Sequence, residues 1–288
     1  MIRLLLPVWR RGLQIGLALL MAVVPLANAR GINIISGNYL AVEILGVPLG
    51  DPLAAFQVLV SARGIAWTGA VGAGLALILA LVLGPVFCAY ACPYGLFSEW
   101  AHRLARRLGR VRPGRFPGQG FAVKAGLAAI GSAVIGLFGL PPLLNLLSMP
   151  ASYSRVWQYA VLGGFWFPVA AMPIMLVIEA WTGIRLWCRF VCPQSALLAL
   201  VHRLAPWGLR VGFDPKRCTC SGTDQRCVAS CHLGLDPRRG KTLPLVCTNC
   251  GDCVAACRRA GQALGFQLGA TPEKGTRKTD STTVESRL

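Results

Sequence analysis

The chain has 288 residues, of which 55 % are hydrophobic and only 14 % charged, and it carries a formal net charge of +18. Those proportions exclude an ordinary water-soluble globular protein and point to a polytopic membrane protein. The basic residues gather at the ends of apolar runs and no groove-reading motif accompanies them, which excludes nucleic acid as the partner.

In chain order, four apolar runs approach or exceed the roughly 18 to 20 residues that cross a bilayer as a helix: 12–29, 65–87, 121–147 and 157–181. No such run follows Trp181. Arg3, Arg10 and Arg11 precede the first run and seven basic residues lie from Arg103 to Lys124, whereas 30–64 holds only Arg30 and Arg63. Basic residues collect on the cytoplasmic side, so the expectation is a bacterial inner-membrane protein with both termini cytoplasmic and a basic inner surface suited to anionic lipid. Residues 1–29 also have the pattern of a signal peptide ending at Ala27-Asn28-Ala29, and they are read here as an uncleaved anchor. Between the first two runs, Ser36-Gly37-Asn38-Tyr39 and Pro48-Leu49-Gly50-Asp51-Pro52-Leu53 mark turns. This segment is either a re-entrant piece or a structured connector.

The second and fourth runs each lead into C-x3-C-P, at Cys88-Ala-Tyr-Ala-Cys92-Pro93 and Cys188-Arg-Phe-Val-Cys192-Pro193. His-Arg-Leu follows ten residues beyond the second cysteine, at 102–104 and again at 202–204, so one unit is duplicated at 65–107 and 157–207 within a membrane domain of 1–207. Residues four apart share a helix face, and the proline ends that helix, so the two pairs would offer four thiols at the inner membrane surface. Cys88, Cys92, Cys188 and Cys192 could hold a metal centre, act as dithiols, or pack as small hydrophobes. They lie where a quinone headgroup could sit. Quinol oxidation needs a proton acceptor poised near neutral pH; His102, His202 and Glu99 are candidates, as is Glu179 near the inner end of the fourth run.

The tail carries Cys247-Thr-Asn-Cys250-Gly-Asp-Cys253-Val-Ala-Ala-Cys257, the C-x2-C-x2-C-x3-C spacing of bacterial 4Fe–4S ferredoxins. A second, irregular set lies at Cys218, Cys220, Cys227 and Cys231, and its Cys227-Val-Ala-Ser-Cys231 matches Cys253-Val-Ala-Ala-Cys257. In two-cluster ferredoxins the last cysteine of each motif serves the other cluster. One cluster is then expected on Cys218, Cys220, Cys227 and Cys257, the other on Cys247, Cys250, Cys253 and Cys231. Zinc is the competing metal, but it favours paired C-x2-C knuckles. All twelve cysteines fall in ligand-like groups, which suits a reducing cytoplasm and argues against disulfides. The expected fold is therefore an all-α polytopic membrane protein with four transmembrane helices and a small C-terminal two-cluster ferredoxin-like domain over 208–265. Residues 266–288, polar from about Thr271, are expected to be disordered.

The four runs, the two C-x3-C-P motifs, the Ser-Gly-Asn-Tyr and Asp-Pro-Leu segments and the paired tail cysteines together resemble the NapH/MauN group of membrane ferredoxin-type proteins, relatives of NosR and CcoG. The resemblance spans about residues 8 to 265. It departs from the usual pattern at His232, where Cys231-His-Leu-Gly-Leu-Asp236 lacks a proline, and at Arg258 after Cys257. It implies electron passage between the quinol pool and a periplasmic cytochrome or redox enzyme, often with a partner ferredoxin. The destination would be periplasmic nitrate reduction in the NapH branch or methylamine utilisation in the MauN branch, and the irregular first motif inclines towards the latter. A role in assembling a periplasmic redox enzyme is the alternative; a transporter is disfavoured by the sparse intramembrane charge.

Overall fold

The structure is a computed structural model that describes residues 2–31, 35–39, 41–44, 46–111, 120–141, 143–146, 148–164, 167–220, 226–238, 243–258 and 261–269. Helix α1 (Ile2–Ala29) leads into a three-stranded antiparallel meander, β1 (Ile35–Asn38), β2 (Ala41–Ile44) and β3 (Val47–Gly50). The short helix α2 (Pro52–Ala62) begins where Asp51 accepts the Leu53 N–H at 2.9 Å and Pro52 presets the first turn. It ends at Arg63, whose φ of 52° is left-handed. Helix α3 (Trp67–Leu83) stops at Gly84, and the one-turn α4 (Val86–Tyr90) carries Cys88. Pro93 then opens α5 (Pro93–Arg107), which buries Tyr94, Leu96, Ser98, Glu99, His102 and Ala105 along one face.

The second half repeats the plan. Helix α6 (Gly120–Phe138) and the single turn α7 (Leu143–Leu146) precede α8 (Met149–Leu162) and α9 (Phe167–Thr182). A π-helical turn at Trp187–Val191 carries Cys188, and Pro193 opens α10 (Pro193–Leu204). The succession α2, α3, cysteine loop, α5 thus recurs as α8, α9, cysteine loop, α10. The halves interlock: α5 packs on α9 and α10 on α3, while α1 lies against α5 and α8 as α6 lies against α10 and α2. This exchange brings the two cysteine loops together at the middle.

The tail is built from β4 (Leu209–Phe213) paired antiparallel with β5 (Leu264–Leu268), and from the short helices α11 (Arg226–Ala229), α12 (Leu243–Val246) and α13 (Asp252–Cys257). Helix α12 sits on α10 and α6, and α13 on α1, so the tail caps both cysteine loops.

Three expectations change and one, the four spans, is met in part. The chain is mostly helical but not all-α, because the meander and the β4–β5 ribbon are sheet. Among the described residues two helices are long and apolar enough to cross a membrane, Trp9–Ala29 and Gly120–Phe138, while α3 and the α9 stretch Val169–Thr182 are apolar but shorter. The run 157–181 is not one helix, since the chain leaves α8 at Gly163, whose φ is 74°, before α9 begins. The ordered tail runs past residue 265, because pairing with β4 holds Phe266, Gln267 and Leu268; residues 270–288 of the expected disordered segment lie outside the described residues.

Candidate functional site

All twelve cysteines are free thiols, and they fall into three groups. Cys88, Cys92, Cys188 and Cys192 meet where the interlocked halves cross. Around them, Tyr39 and Val42 of the meander join Tyr94, Met149, Tyr153, Met172 and Trp187 in the core. A single cavity is lined by these four cysteines and equally by Cys231, Cys247, Cys250 and Cys253 of the tail. The expected exposure of the loop thiols at a membrane surface is not what the fold gives: the tail covers them.

Burial pushes every one of these thiols up, Cys188 and Cys247 to about 12, even though Arg185 opposes the shift at Cys188 and the Asn249 N–H opposes it at Cys247. Cys88 and Cys92 are raised by burial and then by the neighbouring cysteines, and so are Cys250 and Cys253, Cys250 also by Asp252. Thiols in this condition stay protonated at neutral pH unless a cation displaces the protons. Three receive N–H···S bonds: Leu235 N–H to Cys231 at 3.4 Å, Asn249 N–H to Cys247 at 3.4 Å and Arg185 Nη2 to Cys188 at 3.5 Å.

Cys231 acts electrostatically on Cys247, Cys250 and Cys253, so the last cysteine of the first tail motif lies with the first three of the second. Cys257 lies with Cys227, packed with Cys218 against Val211, Ala263 and Leu264. Cys220 is half-buried two residues after Cys218. The chain folds this way because α11 and α13, each a Cys-Val-Ala turn, pack side by side and point their terminal cysteines across to each other's motif.

An ionic clamp fixes the tail to the first half. Arg10 is fully buried and donates two hydrogen bonds to the Glu99 carboxylate and two to Asp252 at 2.9 and 3.2 Å. His232 Nε2 lies 2.9 Å from Asp252 Oδ2. Asn249, left-handed at φ 52°, donates through its side chain to Leu83 O at 3.0 Å and Leu209 O at 2.7 Å, joining the end of α3 to β4. On the other half Arg189 donates to the Leu233 carbonyl.

Three of the four candidate proton acceptors, Glu99, Glu179 and His202, are engaged elsewhere, while among the described residues neither ring nitrogen of the buried His102 has a hydrogen-bond partner. Burial raises the Glu99 carboxyl, but Arg185 and Arg10 outweigh it and hold the group below its ordinary range. Glu179 accepts from Ser98 Oγ at 2.5 Å and from the Trp187 N–H at 2.9 Å, bracing the second cysteine loop. His202 donates Nδ1–H to Leu81 O at 3.3 Å near the end of α3. His102 occupies the matching place near Gly183 after α9, and burial with nearby His232, Arg106 and Arg185 takes it down to about 4. The repeated His-Arg-Leu therefore marks the interlock, each histidine docking against the end of the other half's helix.

Sequence reasoning missed Arg10, Lys124, Arg185, Asn249 and Asp252. Lys124 and Arg185 line the cavity, and a charge within or beside an apolar run was the available signal for both.

The donor set discriminates between metals. Tetrahedral zinc at about 2.3 Å from sulfur holds its sulfurs under about 4 Å apart. Among the described residues no three cysteine sulfurs lie within 4.8 Å of one another, the one such trio being Glu99, His232 and Asp252, whose carboxylates already hold Arg10. Thiols set wider than that around one cavity fit an iron–sulfur cluster better than a single ion. Residues 65–111 and 165–211 each match the 4Fe-4S binding domain family, two segments 100 residues apart that centre on the Cys-Pro loops and not on the tail. The methylamine utilization ferredoxin-type protein MauN of Methylorubrum extorquens is 27 % identical over 229 residues, covering 79 % of this chain and 67 % of that protein. The ferredoxin-type protein NapH of Haemophilus influenzae is 25 % identical over 259 residues, covering 86 % and 85 %.

The chain is similar to the NapH/MauN-type ferredoxin proteins.

The chain also shares part of its length with a larger protein: the regulatory protein NosR of Stutzerimonas stutzeri is 30 % identical over 174 residues, 58 % of this chain and 22 % of NosR. No solved structure matches this chain.

Proposed function

We propose that this chain is an inner-membrane iron–sulfur protein that passes electrons between the quinol pool and a periplasmic redox system. The cavity lined jointly by the loop cysteines and by Cys231, Cys247, Cys250 and Cys253 carries the reading, because it puts two cysteine quartets in one enclosed space. Cys88, Cys92, Cys188 and Cys192 would hold one 4Fe–4S cluster, and Cys231, Cys247, Cys250 and Cys253 a second; Cys218, Cys220, Cys227 and Cys257 form the remaining set. When bound, such clusters supply one-electron carriers whose potentials the surrounding protein adjusts. Quinol gives up two electrons, so a succession of one-electron sites suits its oxidation.

The chain's own residues do the rest. The apolar side chains of the interlocked helices and the capping tail exclude water, the N–H···S bonds aim at individual sulfurs, and the Arg10 clamp keeps the two quartets in register. Helices α1, α3, α6 and α9 would be the four membrane crossings, with both termini cytoplasmic, a topology supported by the distribution of Arg and Lys. The name of MauN makes methylamine utilisation the first periplasmic pathway to test.

Anaerobic purification followed by iron and sulfide analysis and EPR tests the reading. Cys92→Ala and Cys250→Ala are each expected to remove about four irons and one distinct signal. Metal-free protein without a broad iron–sulfur absorption band would sink the proposal. Deletion of the gene separates electron delivery, in which the periplasmic enzyme is mature but undriven, from an assembly role, in which it is immature.

A further inference from the structure

Two buried cations face the loop cysteines, and only one of them is balanced. Arg185 donates Nε–H to Ser98 Oγ at 2.8 Å and Nη2–H to Gly95 O at 3.2 Å, and the Glu99 and Glu179 carboxylates act on it. Lys124, on the first turns of α6, is 2 % exposed and lines the same cavity. Its Nζ donates to Ser195 Oγ at 3.2 Å, and Ser195 in turn donates to the Cys192 carbonyl at 2.9 Å. Among the described residues no carboxylate pairs with Lys124; the groups that act on it electrostatically are Cys192, Cys88 and Cys188. Arg10, the comparable buried cation of α1, is held by two carboxylates.

An ammonium with no counter-ion in such a place costs several kcal/mol. It is retained where negative charge stands opposite; the groups that act on Lys124 are thiols, which offer that charge when ionised around a cluster, and the buried Asp51 carboxylate acts on Cys192. A 4Fe–4S cluster with four thiolates is anionic in both oxidation levels and gains one more negative charge on reduction. A fixed positive charge beside it therefore favours the reduced form, net charge being one of the quantities that set such potentials.

We propose that Lys124 is the positioning charge that raises the reduction potential of the centre held by Cys88, Cys92, Cys188 and Cys192 above that of the neighbouring tail centre. The proposal rests on the reading that this quartet holds a cluster. Uptake of one electron by the quartet centre, from a tail centre or from an added reductant such as dithionite, is then downhill towards the membrane edge. The lysine keeps its proton throughout; only the electron moves.

The test is an EPR-monitored redox titration of the full-length protein in detergent, with dithionite as reductant and ferricyanide as oxidant. The quartet signal is first identified as the one that disappears, with about four irons, in the Cys92→Ala, Cys192→Ala double variant. If that variant loses neither, the cluster reading itself fails. Lys124→Gln is expected to shift the identified signal to lower potential and leave the tail signals where they are, while Lys124→Arg keeps the wild-type value. An unchanged potential in Lys124→Gln overturns the proposal. If Lys124→Gln does not assemble the centre, its retention in Lys124→Arg shows that the charge is what matters, and its loss from both variants overturns the proposal in favour of packing.

Discussion

The two halves of the membrane region share one plan and differ in what they carry. Helix α3 matches α9 and α5 matches α10, yet Leu79 corresponds to Glu179, Pro85 to Arg185 and Ala89 to Arg189, and in the other direction Glu99 corresponds to Ala199. The first half grips the tail through Arg10, which Glu99 holds and which pairs with Asp252 of the tail, whereas the second grips it through the Arg189 guanidinium on a backbone carbonyl. What is common to both halves is the frame: the Cys-Pro loops that line the cavity, with the histidines at the interlock and the short helices leading into the spans around them. What differs is charge, and charge adjusts a centre without rebuilding its walls.

The difference can be broken at Arg10. Arg10→Met leaves the Glu99 and Asp252 carboxylates buried without their partner, and breaking such a pair costs about 3 to 5 kcal/mol. The tail should come loose from α1 and α5, seen as a lowered melting temperature in detergent and new proteolytic cleavage near residues 205–208. An unchanged melting temperature would show that the clamp does not dock the tail. A smaller loss follows at Gly95, which corresponds to Ser195 in the second half. There a Cβ would stand 2.6 Å from the Cys88 carbonyl, so Gly95→Ser should cost about 1 to 3 kcal/mol even though it copies the other half, measurable by thermal unfolding. Asn249→Ala removes two hydrogen bonds to Leu83 and Leu209 and leaves a left-handed alanine, for a loss of about 1 to 3 kcal/mol. Protection of the Leu83 to Val86 amides from hydrogen exchange should fall with it.

The smallest effect sharpens the comparison through pH. The folded protein holds His102 at about 4 against an ordinary value of 6.5, by burial and by the facing His232, Arg106 and Arg185. The unfolded chain binds more protons between those values, so stability falls as pH drops from 6.5 towards 4. His102→Gln should flatten that part of the profile, read from melting temperatures at pH 7 and pH 5. An unchanged slope would mean that His102 carries none of the acid sensitivity.

The repeat was legible at Cys88, Cys92, Cys188, Cys192 and the two His-Arg-Leu triplets, because identical local chemistry at a constant offset needs no fold to be seen. The tail motif was legible for the same reason. The chemical role of the histidines was not, since a histidine beside arginine reads alike whether it exchanges protons or docks against a helix end. The meander at 35–50 was read as a turn-marked re-entrant piece or structured connector and not as sheet; its strands are four residues each and, among the described residues, pair with one another.

By itself the sequence determined composition-driven facts: apolar runs, the sidedness of charge, cysteine spacing and duplication, all properties of residues near one another along the chain. The tertiary structure alone decided that the halves interlock, that the tail closes over the loop thiols, and that Arg10 meets Glu99 and Asp252 across 89 and 242 residues. Those are long-range juxtapositions. They follow from which buried faces pack together, and a buried cation such as Lys124 acquires its meaning only from the groups that packing sets opposite it.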